Sequence, residues 1–255
     1  MSVLRTPALI ACTALLTVAT ACGQPRSLAS GPMFVQTKCA DLIVFGLRGS
    51  GQSADKNDGV GQETLRTIEN MTKRLHAKSN KTVRLEPILY DATRATSYAH
   101  YEAGVKDGVR LLGKKYSKAV AACPKSRYAI VGFSQGAEVV HRYAYDLTGA
   151  HAKRLALIAM IADPRRNPAD PITHWSYAHK GTTGAGKLGA GPEFGSAVRR
   201  AAIALCVAGD EVCNAPRGGA SATVSHTHKH FYESFATASL TGKQLVKVLH
   251  HNGVG

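Results

Sequence analysis

The pentapeptide Gly132-Phe133-Ser134-Gln135-Gly136 follows an apolar run, Tyr128-Ala129-Ile130-Val131, and leads into Ala137-Glu138-Val139-Val140. A serine with glycines two residues before and two after, between a strand and a helix, has the pattern of a nucleophile elbow. The glycines let strand and helix pass closely while a strained serine stands at the sheet's edge. Ser134 is therefore the candidate nucleophile, weighed against the plainer reading in which it only caps a helix. A serine hydroxyl needs a base, and the base needs an orienting carboxylate. On sheets of this kind these come later in the chain, acid first and histidine second.

Asp210 lies in Cys206-Val207-Ala208-Gly209-Asp210-Glu211-Val212-Cys213, where a bridge between the two cysteines would clamp a carboxylate loop. Glu211 ranks second as the acid. Three histidines, His226, His228 and His230, fall within Ser225 to Tyr232, so at most one is the base. His226 is preferred because it lies nearest to the Asp210 loop, with His228 as the alternative. A metal centre is not expected: the histidines lack carboxylate or thiolate co-ligands at helical spacing, and no Cys-x-x-Cys pair occurs.

These side chains need a frame, and the chain's periodicity supplies one. Asp41 to Gly46, Thr82 to Leu89, Arg127 to Gly132, Leu155 to Ile161 and Ala201 to Val207 read as five strands, the first a continuous apolar run ending in Gly, of the kind buried on both faces. Helical spacing occurs over Gly61 to Lys78, Tyr98 to Ala121, Gln135 to Leu147 (closed near Gly149) and Gly242 to His250. Strand alternating with helix predicts a doubly wound, mostly parallel five-stranded sheet flanked by helices. Pro164 to Gly195 and Asn214 to His230 read as long loops. Within the first, Gly181 to Lys187 imitates a phosphate-binding loop, but Leu188 stands where Ser or Thr should be and no strand precedes it, so nucleotide binding is not expected.

The 255 residues are 44% hydrophobic and 19% charged, which suits one sizeable core and argues against disorder or a polytopic membrane protein. Residues 1–21 read as an export signal: Arg5, an apolar stretch from Ala8 to Ala19, then small residues. Cleavage after Ala21 would expose Cys22, in a context resembling the bacterial lipobox, so lipidation of Cys22 is expected; plain secretion and an uncleaved anchor are the alternatives. Residues 22–37 then form a flexible tether and 38–255 the folded domain. Four cysteines remain, Cys39, Cys123, Cys206 and Cys213. In an oxidising compartment an even set reads as two disulfides, and spacing alone leaves three connectivities open. The formal charge of +15 admits nucleic acid, an anionic membrane or a cell-wall surface. Export and only 6% scattered aromatics argue against nucleic acid.

Taken together, several segments resemble the cutinase family of serine esterases in its actinobacterial form. They are Ile43-Val44-Phe45-Gly46-Leu47-Arg48-Gly49-Ser50-Gly51-Gln52, Cys123-Pro124, the elbow with Gln135 after the serine, and Cys206-x-x-x-Asp210-x-x-Cys213. The resemblance covers roughly residues 38–250. It implies an α/β-hydrolase-like, lidless fold with disulfides Cys39–Cys123 and Cys206–Cys213. It also implies an oxyanion hole made by Ser50 and the backbone N–H of Gln135. The family's usual His-x-x-Tyr is absent, since Lys229 follows His226 at that spacing and Phe231 follows His228; His226-Thr227 is similar to the His-Thr of actinobacterial relatives.

The expected activity is hydrolysis of short- to medium-chain acyl esters through an acyl-enzyme, by Ser134, Asp210 and His226 (or His228), with no cofactor. The expected partners are an ester or lipid substrate and an anionic membrane or cell-wall surface, and the expected state is a monomer, secreted or lipid-anchored to the outer face of the cell membrane. The competing class is a non-catalytic surface-binding protein on the same scaffold; such a protein would be expected to have lost one of Ser50, Ser134, Asp210 or the histidine, and all are present.

Overall fold

A computed structural model describes residues 33–177, 181–216 and 224–255. The export signal and Cys22 lie outside the described residues. From residue 33 the chain is already tied to the sheet. Val35 N–H donates to Val83 O at 2.9 Å and Phe34 packs against the core, so the anchored chain begins before Lys38.

Six strands form one sheet: β1 (Leu42–Leu47), β2 (Val83–Pro87), β3 (Arg127–Phe133), β4 (Leu155–Ile161), β5 (Thr173–Trp175) and β6 (Ala202–Leu205). Their order is β2-β1-β3-β4-β6-β5, with every neighbouring pair parallel. β1, β3 and β4 occupy the interior of the sheet, which is why their sequences are apolar without alternation. Alternate residues feed two different cores. Ile43, Phe45, Tyr128 and Ile130 face one side, and Leu42, Val44, Ala129 and Val131 the other.

On the first side pack α2 (Tyr98–Ala122), through Val105, Leu112 and Tyr116, and α3 (Gln135–Ala144), through Ala137, Val139 and Val140. On the second side lie α1 (Gln62–Ser79), through Ile68, Met71 and Leu75, and α6 (Phe235–His251), through Leu245 and Leu249. On α1 and α6 spacings of three and four place the set on one helical face. The Cys39–Cys123 disulfide joins the segment before β1 to the end of α2, and Cys206–Cys213 closes the loop after β6.

The sheet has six strands rather than five. β5 is only three residues long, sits at the edge beside β6 and lies inside the Pro- and Gly-rich stretch, so it carries no readable period. Gly149 opens a short helix, α4 (Gly149–Arg154), instead of closing α3. Another, α5 (His226–His230), lies within the expected second loop. α6 starts at Phe235 rather than Gly242 because Ser234 caps it, its Oγ accepting the Thr237 N–H at 3.2 Å. Among the described residues no helix is long and apolar enough to cross a membrane.

Candidate active site

β3 runs straight into α3 through Ser134, whose φ of 54° and ψ of −117° lie outside the ordinary regions for a residue with a side chain. The strain is held by packing on both sides. A Cβ on Gly132 would meet the Gly136 carbonyl oxygen at 2.3 Å, and one on Gly136 would meet the carbonyl oxygens of Leu47 and Arg48 at 2.6 and 2.7 Å. Ser134 N–H donates to Ile161 O at 2.9 Å, pinning the elbow to the end of β4. α3 itself is locked to α2: Tyr101 Oη donates to the buried Glu138 Oε2 at 2.6 Å, and Arg142 forks onto Glu102 at 2.6 and 2.8 Å.

His228 Nε2 lies 3.0 Å from Ser134 Oγ, and its Nδ1 lies 3.0 and 3.1 Å from the two carboxylate oxygens of Asp210. Asp210 is fully buried and accepts two further hydrogen bonds, from Val212 N–H at 2.9 Å and Tyr232 Oη at 2.8 Å. The Cys206–Cys213 bridge closes the loop that carries it. Burial pushes the Tyr232 phenol well above its ordinary pKa, so it remains a donor. With Nδ1 facing a carboxylate, the neutral imidazole carries its proton there and leaves Nε2 free to accept from the serine. Phe133 stacks on the His228 ring at 5.0 Å between centroids.

His226 does not reach this group. Both histidines sit on α5, where residues two apart point to opposite sides of the helix, so only one can face the serine. Ser225 sets the phase: its Oγ accepts the His228 N–H at 3.2 Å and starts the helix so that His228 turns inward. His226 is exposed, its ring 4.6 Å from that of His230, which in turn bonds Glu233 at 2.9 Å. Glu211, the second-ranked acid, accepts the Ser225 N–H at 2.7 Å and so anchors the helix start. Its carboxyl pKa is lowered because hydrogen bonds from Ser225 outweigh its partial burial.

The loop after β1 abuts the elbow: a Cβ on Gly49 would meet the Phe133 ring at 2.9 Å. Ser50 follows, its hydroxyl donating to Thr93 O at 3.3 Å. The buried Arg48 braces this loop, donating from Nε to Gln52 O at 3.0 Å and from Nη2 to Tyr90 O at 2.5 Å, while Tyr90 Oη donates back to Arg48 O at 2.6 Å. The N–H of Gln135, first in α3 and next to Ser134 in the chain, has no intrahelical acceptor.

Tyr232 is not legible in the sequence as a site residue because the family spacing His-x-x-Tyr is stretched here to His228-x-x-x-Tyr232. Trp175 and Tyr177 pack with Phe231 and Tyr232 in an aromatic cluster, and Tyr177 Oη bonds Thr241 Oγ1 at 2.8 Å.

A second buried histidine–carboxylate pair is a different kind of unit. His141 Nδ1 meets Asp163 Oδ2 at 2.7 Å, but its Nε2 meets the Pro192 carbonyl at 2.9 Å, so no serine can use it. Among the described residues no group of three or more His, Cys, Asp or Glu is placed to hold a metal ion.

Known proteins resemble this chain in sequence and in fold. Cutinase CUT1 of Coprinopsis cinerea is 29% identical over 136 residues, 53% of this chain and 63% of that protein. Carboxylesterase Culp1 of Mycobacterium tuberculosis is 24% identical over 199 residues, 78% of this chain and 80% of that one. The structure of a cutinase-like protein from Cryptococcus sp. shares the fold, with a TM-score of 0.64 at 18% identity over 84% of this chain and 96% of that chain. The Cutinase family profile matches residues 38–241, most of the described protein, and the chain belongs to that family of carboxylic ester hydrolases.

Proposed function

We propose that the protein hydrolyses acyl esters with Ser134 as nucleophile, His228 as base and Asp210 as orienting acid. The observation that carries this reading is the unbroken hydrogen-bonded line from Asp210 through His228 to a serine on a strained elbow. Ser134 Oγ attacks the ester carbonyl carbon while its proton passes to His228 Nε2, and Asp210 holds the resulting imidazolium through Nδ1–H. The carbonyl oxygen takes up negative charge beside the Gln135 N–H, at the positive end of α3, and the Ser50 corner. Collapse expels the alcohol, which takes the proton from Nε2. Water then repeats the sequence on the acyl-serine and releases the acid.

The substrates proposed are short- to medium-chain acyl esters, including those of lipids. The names of the relatives, a cutinase and a carboxylesterase, support the ester, and the basic surplus supports work at an anionic membrane or wall surface. The signal-like residues 1–21 and Cys22 support export with lipid attachment. The test is turnover of p-nitrophenyl esters from acetate to palmitate by the mature, oxidised protein and by Ser134→Ala. Turnover abolished by the substitution upholds the reading, and the chain-length optimum bounds the acyl site. A folded wild type inert on every ester, taking up no serine-directed phosphonate, would replace it with the surface-binding protein.

A further inference from the structure

Gln52, between β1 and α1, bonds the loop that carries Ser50 through its side chain, its backbone N–H and its carbonyl. Gln52 Oε1 accepts the Gly49 N–H at 2.7 Å, while the Gln52 backbone N–H donates to the Gly49 carbonyl at 3.3 Å. The Gln52 side chain thus holds the Arg48–Gly49 peptide and its backbone N–H the Gly49–Ser50 peptide, so both peptides flanking Gly49 are tied to one residue. The Gly49 carbonyl and the Ser50 N–H belong to one planar trans peptide, so fixing the direction of the first fixes the direction of the second. The Gln52 carbonyl is itself held by Arg48 Nε at 3.0 Å.

What orients the Gln52 amide is Glu63, in the first turn of α1. Its Oε2 accepts from Gln52 Nε2 at 2.5 Å, and the carboxyl is buried. An amide flipped by half a turn would point its oxygen at that carboxylate and its nitrogen at the Gly49 N–H, so Glu63 permits only one orientation. Gly61 closes the space behind it: with φ of 80°, it approaches so closely that a Cβ there would lie 2.2 Å from Gln52 Oε1. The arrangement runs from α1, through a single side-chain amide, to the Arg48–Gly49 peptide just ahead of Ser50.

We propose that Gln52, oriented by Glu63, is the positioning residue of the oxyanion hole, setting the direction in which the Ser50 N–H meets the developing negative charge. This rests on the esterase reading above. Neither residue touches substrate; their side chains act through the Arg48–Gly49 peptide, which with the backbone bond to the Gly49 carbonyl sets the conformation of Gly49 and hence the direction of the Ser50 N–H. Their contribution is therefore expected in the chemical step, where the charge develops, rather than in substrate binding.

The experiment compares Gln52→Leu, Glu63→Leu, Glu63→Gln and the exchanged pair Gln52→Glu with Glu63→Gln, using p-nitrophenyl butyrate and normalising to folded protein by circular dichroism. Gln52→Leu is expected to lower kcat by about 10- to 100-fold with KM changed by less than about threefold, since a misdirected donor forfeits part of the 10²–10³ such a donor supplies. Glu63→Gln keeps an acceptor and should stay close to wild type, whereas Glu63→Leu should lose about tenfold. The exchanged pair should recover most of the kcat lost by Gln52→Leu, because the relocated carboxylate accepts from both the Gly49 N–H and the relocated amide. A purely structural role would lower thermal stability in step with activity and show no such rescue. Unchanged kcat in Gln52→Leu, a loss confined to KM, or an exchanged pair no better than Gln52→Leu overturns the proposal while the wild type remains an esterase. A wild type without turnover overturns it together with the esterase reading.

Discussion

Tyr232 Oη donates to Asp210 Oδ2 at 2.8 Å and receives the Val207 N–H at 3.1 Å, so one phenol joins the buried acid to the backbone just beyond β6. Tyr232→Phe removes a donor to the carboxylate and leaves a buried N–H without its acceptor. The expected result is a stability loss of about 1–3 kcal/mol and a fall in kcat of about tenfold. Urea unfolding and ester turnover at one pH measure the two effects separately. A Tyr232→Phe protein with wild-type kcat would show that the remaining partners of Asp210 suffice to orient it.

The two histidines two residues apart on α5 separate cleanly in turnover. His228→Ala is expected to lower kcat/KM by about 10⁴ or more, close to Ser134→Ala, because members of such a unit fail together. His226→Ala, on the exposed side, should remain within about twofold of wild type. Equal losses at both positions would remove His228 from its proposed role.

The His141–Asp163 pair predicts how stability responds to pH. Burial works against the charged ring, but the charge and hydrogen bond of Asp163 and the Pro192 carbonyl more than offset it, so the imidazole pKa is raised above its ordinary 6.5. Folding therefore favours the protonated form. Its stabilisation is complete below pH 6.5 and is lost as pH rises through the raised folded-state value. Chemical unfolding followed from about pH 6 upward should show this decline in the wild type and a flatter curve in His141→Phe. Parallel curves would dismiss His141 as its source.

The two disulfides should divide stability from activity. Cys39–Cys123 spans a sequence separation of 84 residues and Cys206–Cys213 one of 7, and the entropy removed from the unfolded chain grows with loop length. Replacing the first pair by serine should cost about 2–5 kcal/mol of stability. Replacing the second should cost less stability but more kcat, because it frees the loop that aims Asp210. Thermal melts and turnover of both double variants, each under oxidising conditions, decide this; the reverse ordering would contradict it.

What the sequence discloses and what it conceals follow from how local each cause is. β1, β3 and β4 are readable because interior strands covered on both faces must be apolar throughout, and the elbow is readable because Gly132 and Gly136 are sterically required at fixed distances from Ser134. β5 is not, since three edge residues carry no period. The sequence prefers His226 whereas the structure places His228 against Ser134, because proximity to Asp210 along the chain says nothing about helical phase, and that phase is set by Ser225, a cap that identifies a helix only once the helix is known. Gln52 and Glu63 stand in plain view but eleven residues apart, and nothing in their types announces that α1 brings them together.

The Cys39–Cys123 bridge also has a mechanical meaning. A pull on the chain from the N-terminal side is met first by the Val35–Val83 bond and the packing of Phe34, then by Cys39, which shares it through the sulfurs with the end of α2 before it reaches β1. β1, which leads directly to Ser50, is thereby spared the load. Under load applied from the N-terminal side the bridge would act as a strain relief, letting the loop that carries Ser50 keep its register. Pulled from that end in a single-molecule trap, the reduced protein should yield at β1 under forces that the oxidised protein withstands.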